Sequence, residues 1–305
     1  MANLYHERDK NVRRTWMLMI IFFVVVVLIL SFFGYVYDAP ELVVIAVLFA
    51  LGMNVGAYWF SDRIVLGISG AHKIDTSTSQ GRQIYRLVEN LAISAGLPTP
   101  KVYIIQDTAM NAFATGRDPE RGVIALTTGL IARLEVSEIE GVIAHELAHI
   151  GNRDTLIQTI SVVLVGLVAL LADMFLRMTF WGGGRRGNDS DNKSGGFLLV
   201  IALVLAILAP IFTQLLHLAI SRKREYLADA TGALMTRYPD GLASALQKIS
   251  QDDHQLQKAN RATAHLYISN PLSRPGKELS QMFSTHPPIS KRIEALTGMT
   301  VPESS

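Results

Sequence analysis

The stretch His145-Glu146-Leu147-Ala148-His149 determines how the rest of this chain is interpreted. On an α-helix, residues four positions apart lie on one face, so both imidazole rings can reach one metal ion. Glu146 follows the first histidine directly and is placed to act on a water molecule held by that ion. The alternative is a solvated helix that carries two unrelated histidines. The spacing favours a metal site built on one helix.

The composition indicates a membrane location. Half of the 305 residues are hydrophobic, only 18% are charged, and the mean hydropathy is +0.29. This is too apolar for an ordinary soluble enzyme of this length. The net charge of +2 is too small to indicate a nucleic-acid partner. Because the chain contains no cysteine, a zinc site must be built from histidine and carboxylate side chains.

Four segments are apolar and long enough to cross a bilayer, which takes about 20 helical residues. They are predicted at 16–37, 41–60, 155–180 and 197–220. The first segment is interpreted as a retained anchor, because its apolar core is too long for a signal peptide and no cleavage site follows it. The prediction is a mainly α membrane protein with two transmembrane hairpins.

The distribution of basic residues predicts how these spans are oriented. Four basic residues precede the first span, and Arg222, Lys223 and Arg224 follow the fourth. Both termini and the segment 61–154 are therefore expected on the cytoplasmic side, although Arg185 and Arg186 lie in the opposite loop. The predicted organisation is a cytoplasmic segment 1–15, a hairpin 16–60, a water-exposed part 61–154, a hairpin 155–220 with a mobile Gly/Ser-rich loop 181–196, and a second water-exposed part 221–305.

The water-exposed parts mix helices with short strands. Periodicity predicts a helix over 79–95, strands over 101–105 and 121–126, and a helix over 289–296. The metal helix is predicted to begin at Ser137, whose hydroxyl would form a capping box with Glu140.

Glu225 is the candidate for a third metal ligand, because a catalytic zinc site has three protein ligands and one open position. It lies just after the fourth span, and Asp229 follows one helical turn later on the same face. A carboxylate at the second position can accept the free N–H of a ligand histidine and fix its tautomer. The alternative is that both acids pair with the preceding basic residues on a solvated face. Alongside the two histidines, the metal interpretation is favoured.

The metal-bearing segments lie close to the predicted membrane. His149 is six residues before the third span, and Glu225 comes shortly after the fourth. At a helical rise of about 1.5 Å per residue, both are expected roughly 10 Å from the bilayer edge. A hydrolytic site there would act on loops and tails of other membrane proteins close to the lipid surface.

The order of these motifs resembles the HtpX family of membrane-integral zinc metalloproteases, which is related to the eukaryotic type I CAAX prenyl proteases. The resemblance covers nearly the whole chain. It is carried by Asn111-Ala112-Phe113-Ala114-Thr115-Gly116, by the 145–149 stretch, by Glu225 with Ala228-Asp229, and by Thr285-His286-Pro287-Pro288. The resemblance implies four transmembrane helices and a cytoplasmic, zincin-like α+β metallopeptidase domain with a small sheet.

The same resemblance implies roles for individual residues. One Zn²⁺ per chain would be held by His145, His149 and Glu225, with Glu146 as the general base and Asp229 behind the ligands. His286 and Arg292 would face the substrate carbonyl, and Asn111 and Ala112 would belong to the substrate-binding edge.

The resemblance also implies a setting, namely a multi-pass protein of the bacterial inner membrane whose active site faces the cytoplasm. Misfolded or damaged membrane proteins and unfolded polypeptides are the expected substrates, under stress and quality-control conditions. Other membrane quality-control proteases are candidate partners.

Several alternatives stay open on the residues alone. His286 would equally suit a capping position before the helix that Pro287 and Pro288 initiate. A CAAX-type processing peptidase needs a large intramembrane chamber, which four spans are too few to enclose. A non-catalytic zinc-stabilised scaffold or chaperone would normally close its zinc with four protein ligands, and only three are evident. A transporter is disfavoured because the spans lack a polar pathway or an inverted repeat.

Overall fold

Two long apolar helices begin the chain. The computed structural model describes residues 2–36, 38, 40–182, 222–258, 263–271 and 287–299. Helix α1 is Ala2–Val36 and helix α2 is Glu41–Ser69. Within them, Asp9–Leu28 and Val43–Ser69 are long and apolar enough to cross a membrane by length and composition. They correspond to the first two predicted spans, except that α2 continues past residue 60 until Gly70 ends it in a left-handed conformation (φ 64°).

The third predicted span begins in helix α6 (Asp154–Gly182), whose first part, Asp154–Val168, is an apolar helix. This part packs against α1 and α2 through buried side chains that include Phe22, Ala57 and Ile160. The fourth predicted span, 197–220, and residues 183–196 of the preceding loop lie outside the described residues. The described part of the chain therefore supports a membrane protein without establishing four spans.

A four-stranded sheet follows the two long helices in the chain. Its strands are β1 (Ala71–Lys73), β2 (Lys101–Ile105), β3 (Ala112–Thr115) and β4 (Val123–Thr127). The order is β1-β2-β4-β3, with β2 and β4 parallel and the two outer pairs antiparallel. Strand β3 is therefore an edge strand of this sheet. The prediction of a strand over 121–126 was wrong at its start, because Pro119–Arg121 forms a 3₁₀ turn capped by Asp118.

Helix α3 (Ser79–Ser94) confirms the predicted helix over 79–95, and Thr78 caps it. The short helix α4 (Thr128–Arg133) leads from β4 to helix α5 (Val136–Gly151), which carries the two histidines. The predicted capping box of Ser137 and Glu140 was wrong. Instead, the backbone N–H of Glu135 donates to the Glu138 carboxylate at 2.8 Å. Glu138 is held in this position because Ser244 and Lys248 bind the same carboxylate.

Helices α7 (Arg222–Thr236), α8 (Pro239–Ser250) and α9 (Ile289–Thr297) complete the domain. Helix α5 lies in the main core, between the sheet and these helices. Gly232 of α7 faces the backbone of α5. A Cβ atom added to Gly232 would lie 3.0 Å from the backbone nitrogen of His145. This close approach of two helix backbones brings the side chains of α7 to the histidines.

Candidate active site

The two histidines of α5 converge as the sequence spacing predicts. His145 and His149 are buried, with 1% and 5% of their surfaces exposed. Their Nε2 atoms lie 3.1 Å apart and their rings stand almost perpendicular. Two imidazole nitrogens that bind one metal ion must lie close together, as these two do.

Glu225 of α7 supplies a third donor. One of its oxygens lies 3.9 Å from the His145 Nε2, and the other lies 3.6 Å from the His149 Nε2. Ligand atoms around a tetrahedral zinc, each about 2.0–2.1 Å from the ion, are separated by about 3.3 Å. Among the described residues, His145, His149 and Glu225 therefore form a group of donors that fits one metal ion.

The Nδ1 atom of His145 faces Asp229, 2.9 Å from its Oδ1. Asp229 lies one turn after Glu225 on α7 and is 1% exposed. Arg292 of α9 binds this carboxylate with two nitrogens, at 2.8 Å from Nε and 2.7 Å from Nη2. Its Nη1 also donates to the Ile268 carbonyl and lies 3.6 Å from Glu225. Asp229 therefore orients the His145 ring, and Arg292 orients Asp229.

The Nδ1 atom of His149 faces a different carboxylate, the Oδ2 of Asp154 at 3.0 Å. Asp154 is the first residue of α6 and is 0% exposed. Its other oxygen accepts a hydrogen bond from Asn11 of α1 at 2.7 Å, and Arg224 lies 3.6 Å away. Neither Asp154 nor Asn11 is among the residues predicted from the sequence. The available signal for Asp154 was a carboxylate five residues after His149, just past the end of the helix.

The surroundings shift the pKa values of the histidines in opposite directions. Burial lowers the pKa of His145 to about 4, and the charge of Arg292 adds to the effect although Asp229 opposes it. Burial also disfavours the charged form of His149, but the hydrogen bond to Asp154 and the charge of Glu225 outweigh it and raise the pKa to about 9. These values describe the site without a cation, which would itself favour neutral imidazoles.

Glu146 lies beside the three donors, with 1% of its surface exposed. Burial raises the pKa of Glu146 to about 7, and the charge of Glu225 contributes, whereas His149, Arg292 and the backbone N–H of Ala114 oppose the rise. A carboxylate with a pKa near neutrality can both accept and return a proton. A carboxylate with a pKa near neutrality therefore lies close to the metal-binding donors.

The predicted substrate edge at Asn111 and Ala112 lies on and next to β3. The Ala112 carbonyl accepts a hydrogen bond from the Ile268 N–H at 2.9 Å, and Phe113 pairs with Tyr267 as an antiparallel bridge. The Asn111 side chain donates to the Ser269 carbonyl at 2.9 Å. The edge of β3 that does not face β4 is thus paired with residues of the segment 263–271.

Two further predicted residues are placed differently from the donors. His286 lies outside the described residues. Arg292 is 0% exposed and engaged with Asp229 as described above. Its Nη2 also lies 3.4 Å from both ring nitrogens of His145, so Arg292 lies against the ligand set, and its predicted role at the substrate carbonyl stays a prediction.

A buried HExxH helix, completed by a carboxylate from a neighbouring helix, defines the class of zincin-like metallopeptidases. The chain belongs to peptidase family M48, whose family model matches residues 78–300.

The chain is similar to known proteins along most of its length. A "Protease HtpX homolog" from Syntrophobacter fumaroxidans is 51% identical over 259 residues, which cover 84% of this chain and 89% of the relative. A second, from Caldanaerobacter subterraneus subsp. tengcongensis, is 41% identical over 98% of both chains. The crystal structure of S. mikatae Ste24p, 18% identical, matches 97% of this chain and 67% of its own with a TM-score of 0.49. The predicted HtpX-like metallopeptidase is confirmed by the family and the relatives.

Proposed function

We propose that this chain is a zinc-dependent endopeptidase that hydrolyses misfolded or damaged membrane proteins at the cytoplasmic face of the bacterial inner membrane. The observation that carries the proposal is the convergence of His145, His149 and Glu225, with buried Glu146 beside them. The donors are two imidazoles and one carboxylate, a set used by catalytic zinc sites. When bound, zinc would act as a Lewis acid that polarises a carbonyl and makes a water molecule more acidic.

The residues of the chain would supply the remaining steps. Glu146 takes the proton of the attacking water and returns it to the leaving amine, for which its raised pKa is suited. Asp229 and Asp154 keep Nδ1 of the two histidines protonated, so that Nε2 is available as a donor. Burial of the site excludes bulk water and strengthens these electrostatic interactions.

The location of the site supports membrane-protein substrates. Asp154, which binds His149, is the first residue of the apolar helix α6, and Asn11, which binds Asp154, lies in the first candidate span. One apolar helix thus contacts a ligand histidine, and a second is connected to the same histidine through Asp154. Basic residues at the N-terminus and after the fourth predicted span support a cytoplasmic location for this side.

The experiment that tests the proposal compares the wild-type chain with Glu146→Gln on an unfolded protein substrate. Both proteins are purified in detergent without chelator, and their zinc content is measured in parallel. We expect one zinc per chain in each, and cleavage by the variant to fall at least about a thousandfold, because the proton-transfer group is lost. Bound zinc without cleavage by either protein would favour the scaffold alternative, and equal cleavage by both would contradict the role of Glu146.

A substrate strand is proposed to pair with the edge of β3 at Asn111 and Ala112, as extended peptides do on exposed sheet edges. Since Ile268 already occupies the Ala112 carbonyl, such a substrate must displace the segment 263–271 from this edge.

The double variant Ala112→Cys with Ile268→Cys tests this displacement. Cross-strand neighbours lie about 5.5 Å apart at Cα, a span that suits a disulfide, and the chain has no other cysteine. We expect the oxidised form to lose at least about tenfold of its cleavage rate and a phosphine reductant to restore it. The reduced form of the same protein is the matched control. Equal rates in both forms, with zinc bound, would show that this edge need not open.

A further inference from the structure

We propose that Asn11 of the first membrane helix is a positioning residue of the metal centre. It holds Asp154 against His149, so the affinity for zinc depends on a side chain from α1. The inference rests on the proposed metal centre but not on peptide cleavage.

The amide of Asn11 uses both of its ends. Its Nδ2 donates to the Oδ1 of Asp154 at 2.7 Å and to the Asn152 carbonyl at 3.1 Å. Its Oδ1 accepts a hydrogen bond from the Nη1 of Arg224 at 3.0 Å. Asn11 is 0% exposed. A side chain with two donors and one acceptor is needed to make these three contacts at once.

These contacts converge on the short connection between the metal helix and the third predicted span. Helix α5 ends at Gly151, and Arg153 interrupts the helical path with φ 56° before α6 begins at Asp154. Asn11 binds this connection at two points, the Asn152 carbonyl and the Asp154 carboxylate. The Asp154 carboxylate is thereby fixed on one side by Asn11 while its other oxygen meets His149.

Residue type matters at this position. An alanine would remove the donor from Asp154 and the acceptor from Arg224, leaving a carboxylate that can rotate away from His149. An aspartate of the same shape would place a second negative charge against Asp154. Partners behind a ligand histidine typically change metal affinity by about 10–100-fold when they are removed. Asn11 acts one residue further out, so we expect an effect near the lower end of that range.

The competing explanation is that Asn11 only packs α1 against α6. A buried asparagine on the other membrane helix provides the matched control. Asn54 of α2 is 8% exposed, and its Nδ2 donates to the Ala50 carbonyl of its own helix. It is not among the residues that contact the ligand histidines or Asp154 in the described part of the chain.

The test measures the zinc affinity of the full chain in detergent by competition with a chelator. All variants carry Glu146→Gln, so that a proteolytic chain does not cleave other copies of itself during the measurement. The metal-free unfolding temperature is recorded in parallel. We expect Asn11→Ala to weaken zinc binding about tenfold and Asn54→Ala to leave it within about twofold. In an Asp154→Ala background, Asn11→Ala should add no further loss, because the two residues act through one path.

The inference is overturned if Asn11→Ala lowers only the unfolding temperature, or if its effect on affinity persists undiminished in Asp154→Ala. If Asn11→Ala does not fold, the isosteric Asn11→Asp replaces it, and unchanged zinc affinity in that variant would equally overturn the inference. A parent chain that binds no zinc would contradict the metal centre itself. Loss of affinity in Asn11→Ala without any cleavage by the wild type would support this inference and contradict only the proposed protease activity.

Discussion

The two histidines of the metal site share one helix and one motif, yet different parts of the molecule hold them. His145 is oriented by Asp229, which Arg292 binds at two points, and both lie on helices that contribute to the main core beside the sheet. His149 is oriented by Asp154, which Asn11 holds, and both lie on helices of membrane character. The first pair of partners belongs to the main core, and the second pair connects the site to the apolar helices α1 and α6.

The two histidines also differ in their protonation when no metal is bound. Burial, together with the charge of Arg292, lowers the pKa of His145 and keeps it neutral, whereas Asp154 and Glu225 raise the pKa of His149 and favour a proton on it. One imidazole is therefore ready to bind a cation at neutral pH, and the other must first lose a proton. Metal binding is therefore expected to release a proton from His149, the histidine that Asp154 and Asn11 support.

The largest effect is expected on the His145 side, from Asp229→Ala. This change leaves the fully buried Arg292 without its two-point partner, and removal of one member of a buried ion pair typically costs about 3–5 kcal/mol. Zinc affinity should also fall about 10–100-fold. Chemical denaturation and chelator competition measure the two effects.

Asp229→Asn is the matched control for shape, and it should retain more stability because an acceptor for Arg292 remains. Asp154→Ala should weaken zinc binding comparably but destabilise the fold less, since Arg224 lies 3.6 Å from Asp154, whereas Arg292 binds Asp229 at 2.8 Å and 2.7 Å. Equal losses of stability in Asp154→Ala and Asp229→Ala would remove the contrast between the two sides.

A smaller effect, on the pH dependence of zinc binding, sharpens the comparison. Protonated imidazole cannot bind metal, and the pKa of His149 in the metal-free site is raised to about 9. The apparent zinc affinity should therefore rise about tenfold per pH unit from about pH 6 to about pH 8, as one proton is released on binding. Isothermal titration in buffers of different ionisation enthalpy counts that proton.

Asp154→Asn should flatten this dependence above about pH 7, because loss of the carboxylate lowers the pKa of His149. Asp229→Asn should leave the slope in place, since His145 is already neutral there. If the slope changed in Asp229→Asn and not in Asp154→Asn, the proton released on zinc binding would come from His145. That result would contradict its assignment to His149.

Local patterns explain why much of the site could be predicted. The spacing of His145 and His149, and of Glu225 and Asp229, is a property of single helices, and the structure brings these four side chains together. The strand over 101–105 and the helix over 79–95 also follow from local periodicity. Asn11 meets Asp154 across 143 residues, and no local spacing encodes such a contact.

Tertiary contacts also account for what was predicted incorrectly. The cap of α5 shifted from Ser137 to Glu135 because Glu138 is drawn into a hydrogen-bonded cluster with Ser244 and Lys248 of α8. The pairing of the β3 edge with Ile268 brings together residues more than 150 positions apart, which periodicity cannot reveal. Local rules thus predicted the donors and Asp229, while Asp154, Asn11 and the residues that cover the β3 edge required the fold.

The most direct test of the account is zinc K-edge X-ray absorption on the purified full chain, with Glu225→Ala measured beside it. The account predicts one zinc per chain with about four nitrogen and oxygen neighbours near 2.0–2.1 Å, including two imidazoles. Glu225→Ala should lower zinc occupancy or change this shell. An unchanged shell at full occupancy in Glu225→Ala, or a wild-type chain without zinc, would contradict the metal centre on which the account depends.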